Sequence, residues 1–127
     1  MKRTLFLLTL VIACNRAETP APATATQAPA QTIAGDPVRG GELIPQYACN
    51  ACHIVPGTTG PQGSLAPSLA GVASRPLISN GAVKNTPANL RQFIQNPSSL
   101  NPNSSMPPIG LPDVDAQDIT AFLLTLK

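Results

Sequence analysis

Cys49-Asn50-Ala51-Cys52-His53 sets two thiols three positions apart with an imidazole immediately after them. That order of groups is the attachment signature of a c-type haem: each thiol can add across one vinyl group, and the neighbouring ring nitrogen can then ligate iron from below. Competing chemistries fit less well. A closed zinc site takes about four Cys or His ligands, and the chain offers only Cys14, Cys49, Cys52 and His53. A redox dithiol sits between a strand and a helix of a βαβ unit, whereas the flanks here are rich in Pro and Gly and show no parallel-strand pattern. A disulfide across so short a loop would be strained and would leave His53 without a purpose.

Iron held by His53 has a further axial position, which is either open for gas or peroxide chemistry or filled by a second side chain, commonly Met. The sequence has a single His, and Met106 is its one methionine besides the initiator. Met106 lies in Asn101-Pro102-Asn103-Ser104-Ser105-Met106-Pro107-Pro108. Those prolines forbid a helix and stiffen a loop that can hold the thioether in place. A lone Met is often core filler, but a Pro-rich loop is a poor place for filler, and no distal His is available for an open, enzyme-like site. Two filled axial positions leave one-electron exchange as the function, without catalysis.

Three helical patterns must position these groups. Asp36-Pro37 joins an N-cap to a proline at the first helical position, opening a helix through Val38, Leu43 and Ile44 that is expected to kink or stop at Pro45. Thr86-Pro87 repeats the signal, with Leu90, Phe93 and Ile94 on one face before Asn96-Pro97 ends the pattern. Near the C-terminus, Asp113 and Asp115 form an acidic first turn, followed by Ile119, Phe122, Leu123 and Leu126 at helical spacing and by Lys127. No strand alternation competes. The reading is an all-α domain of three to four helices wrapped around one covalent haem, spanning 36–127. Its shortage of aromatic residues, with no Trp and one Tyr, suits a small core completed by a large flat cofactor.

The preceding residues are of another kind. Met1-Lys2-Arg3, an apolar run from Leu5 to Ile12 and small Ala13 read as a signal peptide over 1–13, too short to span a bilayer. Val11-Ile12-Ala13-Cys14 resembles a bacterial lipoprotein box, in which Cys14 becomes a lipid-bearing N-terminus; the alternative is an incidental thiol. Residues 14–35 are rich in Ala, Pro, Thr and Gln with little to bury, and read as a disordered tether. Together they place the domain in a bacterial periplasm on a membrane anchor. The residue after Cys14 is Asn15, which lacks the acidic character that resembling lipoproteins use for inner-membrane retention and so leans toward the outer membrane.

Lys2 and Arg3 account for the formal net charge of +2, so the mature chain is near neutral and has no basic run of the nucleic-acid-binding type. From Leu43 to Pro112 there are Arg75, Lys84 and Arg91 but no Asp or Glu. A mildly basic middle would help neutralise haem propionates and steer an acidic partner face, or would simply be solvated.

The motifs Gly35-Asp36-Pro37-x-x-Gly40, Cys49-x-x-Cys52-His53, Ala66-Pro67-Ser68-Leu69-x-Gly71, Asn85-Thr86-Pro87-x-Asn89-Leu90 and Met106-Pro107 occur in the order found in class I cytochromes c. The chain resembles small bacterial monohaem members of that family and the haem c domain fused to some haem-copper oxidase second subunits. The resemblance implies that the first and last helices cross at Gly40 near Phe122, where glycine allows close approach. It also implies that the Pro67 carbonyl bonds the outer nitrogen of His53, and that Arg75 and Asn89 are candidate propionate partners. The implied role is electron transfer by a monomer, with a terminal oxidase, a cytochrome complex or a periplasmic dehydrogenase as partner, or as a subunit of such a complex.

Overall fold

The structure is a computed structural model and describes residues 35–127; the signal peptide, Cys14 and nearly all of the tether lie outside the described residues. Five α-helical segments are present among them: α1 (Pro37–Gln46), α2 (Cys49–Cys52), α3 (Pro87–Gln95), α4 (Pro97–Leu100) and α5 (Asp113–Leu123). A single 3-10 turn covers Val72–Ser74, and two short strands, β1 (Leu77–Ile78) and β2 (Val83–Lys84), pair antiparallel with Leu77 opposite Lys84. The excess over three to four helices comes from α2 and α4, single turns too short to show a periodicity. The two-residue strands were likewise not anticipated. Ser79 and Asn80 both adopt positive φ ahead of Gly81, so the chain reverses here through a tight turn of the kind that pairs strands.

Helix α1 begins as its sequence requires. Asp36 accepts at its side chain from the backbone N–H groups of Val38 (2.9 Å) and Arg39 (3.3 Å), and Pro37 occupies the first turn. It buries Gly40, Leu43 and Ile44, one face at i, i+3, i+4 spacing. Pro45 does not end the helix at once: α1 runs one residue further, to Gln46, before Tyr47 closes it. A proline this close to the end removes one bond from a turn that is about to finish.

Helix α5 is the centre of the domain and packs chiefly on α1. Every residue from Ile119 to Leu123 is buried, as are Asp115, Ala116 and Asp118. Leu126, expected on the apolar face, lies past the helix end, where its carbonyl accepts from Ala73 N at 2.9 Å. The crossing occurs at Gly40: a Cβ built there would lie 2.0 Å from the Asp118 carbonyl oxygen and 2.9 Å from Phe122 Cβ.

Of the two acids expected in the first turn of α5, Asp113 is exposed, whereas Asp115 is built into this crossing together with Asp118. Asp115 and Asp118 are 8% and 6% exposed. Arg39 donates one guanidinium nitrogen to each of them, Tyr47 donates its hydroxyl to Asp115, and the Asp36 N–H donates to Asp118 at 2.7 Å. The Tyr47 and Arg39 donors hold the Asp115 carboxyl below its ordinary range; for Asp118 the Asp36 amide does most of this, with Arg39 adding to it. A depressed folded-state pKa contributes stability that is present above the unfolded value, ~3.9, and disappears as pH falls through the folded one. Thermal melts of the haem-loaded protein should therefore lose midpoint temperature below about pH 4, and Asp118→Asn, unable to ionise, should flatten that decline. An equal acid slope in wild type and Asp118→Asn would show that this carboxylate plays no part.

Helix α3 follows its predicted bounds closely. Thr86 caps it by accepting from Asn89 N at 3.2 Å, Leu90 and Ile94 are buried, and Phe93 packs half-buried against the core.

Candidate functional site

The attachment residues sit on the single turn α2, entered through Ala48 in a left-handed conformation (φ 54°). Cys49 to Cys52 are helical and His53 is already extended, its N–H bonded to the Cys49 carbonyl at 3.0 Å. One helical turn sets the two thiols side by side while the break turns the imidazole out of the helix. Cys49 is half-buried, Cys52 is exposed, and both are free thiols. Burial pushes the Cys49 thiol up, the opposite of what an attacking redox dithiol needs. Among the described residues no three of His, Cys, Asp and Glu converge as a metal-ion site, against a closed zinc site.

The loop after His53 folds back along α2. Gly63 N donates to the Asn50 carbonyl at 2.7 Å, Ala66 N to Cys52 at 3.0 Å and Leu69 N to Ile54 at 2.8 Å. Gly63 permits this approach, since a Cβ there would meet the Ala51 carbonyl oxygen at 2.0 Å. The return brings the Pro67 carbonyl to 2.7 Å from His53 Nδ1. A carbonyl can only accept, so Nδ1 carries the proton and Nε2 is left with its lone pair, the form in which imidazole binds iron.

Arg75 and Asn89 spend donors on the backbone. Arg75 Nη2 donates to the carbonyls of Ser68 (2.6 Å) and Ala70 (2.8 Å), strapping the loop that carries Pro67, and Asn89 donates to Lys84 at 3.0 Å. Sequence reasoning overlooked Asn50 and Asn85. The buried Asn50 amide holds the Thr59 carbonyl at 3.2 Å, and Asn85 bridges the carbonyls of Val72 (2.7 Å) and Arg75 (2.8 Å). Neither role has a local sequence signal beyond an Asn beside a turn.

Met106 lies in an irregular segment, as its prolines require. It is half-buried against the core, and its N–H bonds Ser104 Oγ at 3.3 Å. The loop is anchored by Asn101, which donates to Ser79 Oγ at 2.8 Å and accepts from Asn103 N at 3.1 Å. Cys49, Leu69, Phe93, Leu100, Met106 and Ile109 are all apolar or soft, all only partly buried, and all packed against the core. An incomplete apolar surface, two free thiols, a tautomer-fixed imidazole and a thioether together fit a covalent haem. A separate open cavity of about 630 Å³, lined by residues including Val38, Pro45, Thr58 and Phe122, contains none of these groups.

The family model for cytochrome c matches residues 37–127. A search of curated proteins finds no match. Among solved structures, the cytochrome c2 isolated from Paracoccus denitrificans is similar with a TM-score of 0.55 at 22% identity, over 72% of this chain and 95% of that one. Ferric cytochrome c-550 from Paracoccus versutus is similar with a TM-score of 0.51 at 22% identity, over 72% of this chain and 98% of that one. These likenesses establish the fold, and the family match supplies the cofactor that Cys49, Cys52 and His53 are arranged to take. A mostly helical domain that binds one haem c covalently and transfers electrons, this chain belongs to the cytochrome c family.

Proposed function

We propose that the protein is a one-electron carrier whose iron is closed on both sides, by His53 and Met106, and that lipid on Cys14 tethers it to a membrane facing the bacterial periplasm. The observation that supports the His53 side of the assignment is the 2.7 Å contact between His53 Nδ1 and the Pro67 carbonyl, which leaves the lone pair of the other ring nitrogen available to iron. When bound, the haem supplies uptake and release of single electrons. The chain's residues do the rest. Cys49 and Cys52 would hold the group by thioether bonds, Pro67 fixes the imidazole tautomer, and Arg75 fixes the loop that presents Pro67. The Met106 loop, restrained through Asn101 and Ser104, would supply the second ligand. Two protein ligands leave no position for a substrate, which supports a carrier over a peroxidase-like or gas-binding protein. A terminal oxidase, a cytochrome complex or a periplasmic dehydrogenase would stand on either side of the electron, and docking to such partners is weak and small in area.

Closed coordination has a direct test. The reduced, haem-loaded protein is expected to keep its spectrum under carbon monoxide at neutral pH, and rapid formation of a carbonyl spectrum would mean an open sixth position. The intact mass of the mature protein from a haem-competent host tests the attachments: one haem on the chain, and diacylglycerol on a terminus beginning at Cys14. A chain beginning elsewhere without lipid would remove the tether.

A further inference from the structure

The segment that carries Met106 is tied to the rest of the fold by a single side-chain hydrogen bond. Among the described residues, the hydrogen bonds made by 102–111 lead back to Asn101. Asn103 N donates to Asn101 Oδ1 at 3.1 Å, Ser104 N to the Asn101 carbonyl at 2.9 Å, and Met106 N to Ser104 Oγ at 3.3 Å. Pro102, Pro107 and Pro108 have no N–H to give. Asn101 N bonds the neighbouring Pro97 carbonyl at 3.0 Å, and its side chain alone reaches another part of the fold, where Nδ2 donates to Ser79 Oγ at 2.8 Å. The amide can face only this way, because the Asn103 N–H must donate and so takes the oxygen, leaving the nitrogen to Ser79. Ile109 and Leu111 add apolar contacts with the core, but these are non-directional.

The far end of that bond is held in a turn that glycine would form more easily. Ser79 and Asn80 are at φ 54° and Gly81 at 86°. The N–H groups of Gly81 and Ala82 donate to the carbonyls of Ile78 and Ser79, each at 3.1 Å, and Ile78 and Val83 are buried in the core on either side. The turn is therefore a fixed post. Left-handed backbone is open to glycine and unfavourable for serine, and such strain persists where the side chain has a task. The task here is the hydroxyl that Asn101 uses, which glycine would lack.

We propose that Ser79 is a positioning residue for the Met106 ligand: its hydroxyl latches the loop through Asn101, and this one bond sets how often Met106 leaves iron and admits an outside ligand. The proposal deepens the carrier reading and rests on it. Breaking the latch frees Asn101, and with it the bonds that order Asn103, Ser104 and Met106, while β1, β2 and α3 keep their own hydrogen bonds and caps.

Imidazole added to the ferric, haem-loaded protein reads the latch. It takes the sixth position only when Met106 has left, so its apparent affinity scales with the fraction of open protein. Ser79→Gly should bind imidazole about fivefold more tightly, with the sulfur-to-iron band still present and little change in melting temperature, since relief of the left-handed strain offsets the lost bond. Asn80→Gly relieves the same kind of strain one residue on without touching the hydroxyl, and should bind imidazole as wild type does. In an Asn101→Ala background, Ser79→Gly should add no further increase. Amide exchange gives a readout apart from ligand binding: in Ser79→Gly, Ser104 should lose protection by the same factor while Gly81 and Ala82 keep theirs. An affinity unmoved by Ser79→Gly, or raised equally by Asn80→Gly, would overturn the proposal. So would loss of protection at Gly81 and Ala82 along with Ser104, which would make the hydroxyl a support of the hairpin alone. A wild type that binds imidazole as tightly as Met106→Ala would overturn the carrier reading and the latch together, whereas a closed wild type indifferent to Ser79→Gly would overturn the latch alone.

Discussion

Gly40→Ala is expected to destabilise the domain by about 3 kcal/mol or more, at the upper end of what overpacking costs. The added Cβ would stand 2.0 Å from the Asp118 carbonyl oxygen and 2.5 Å from its carbonyl carbon. Both are backbone atoms of α5, which no rotamer change can move aside, so α1 has to lift away. Lifting it also pulls Arg39 from Asp115 and Asp118 and the Asp36 amide from Asp118. Against a total stability of roughly 5–15 kcal/mol for a small domain, this is a large fraction. Gly41→Ala is the control: its Cβ would approach ring atoms of Phe122 at 3.1 Å, and a ring edge can yield by a few tenths of an ångström. Denaturant melts of the haem-loaded proteins should show Gly40→Ala far below both wild type and Gly41→Ala. Equal midpoints for Gly40→Ala and wild type would mean that the helices do not cross as described.

Met106→Ala is expected to lower the reduction potential by well over about 59 mV, the tenfold step for a one-electron couple. Thioether ligation favours the reduced iron, and its loss hands the position to water or to another base. The fold should survive, because Met106 is only half-buried and sits in a loop held by Asn101 and Ser104. Spectroelectrochemical titration of the two proteins, with melting curves alongside, separates these effects. A variant with an unchanged potential would show that Met106 is packing material after all. Because the Pro67 bond that fixes the His53 tautomer is left intact by this substitution, a change in potential would report on the Met106 side alone.

Several features were readable from the chain because their causes are local. Covalent attachment needs its thiols and imidazole within five residues, so the motif states itself. Helix α3 is bracketed by Thr86-Pro87 and Asn96-Pro97, where proline and a capping side chain fix both ends within a turn. The N-cap of α1 is of the same kind. The crossing at Gly40 and the Pro67 carbonyl are different: any glycine is a close-approach candidate and every residue has a carbonyl, so only the resemblance to class I cytochromes c pointed to these two. The cluster of Arg39, Tyr47, Asp115 and Asp118 was hidden because it joins residues from opposite ends of the domain. On a sequence, acids at a helix start look sufficiently explained by the helix dipole. Single-turn α2 and α4 and the two-residue strands are too short for any periodicity to register.

The oxidised spectrum of the haem-loaded wild-type protein tests closure of the iron most directly. A sulfur-to-iron charge-transfer band at the far red edge is expected, present at neutral pH and lost in Met106→Ala. A wild-type ferric spectrum without that band would contradict closure of the iron by Met106, and with it the assignment of this chain as a six-coordinate electron carrier.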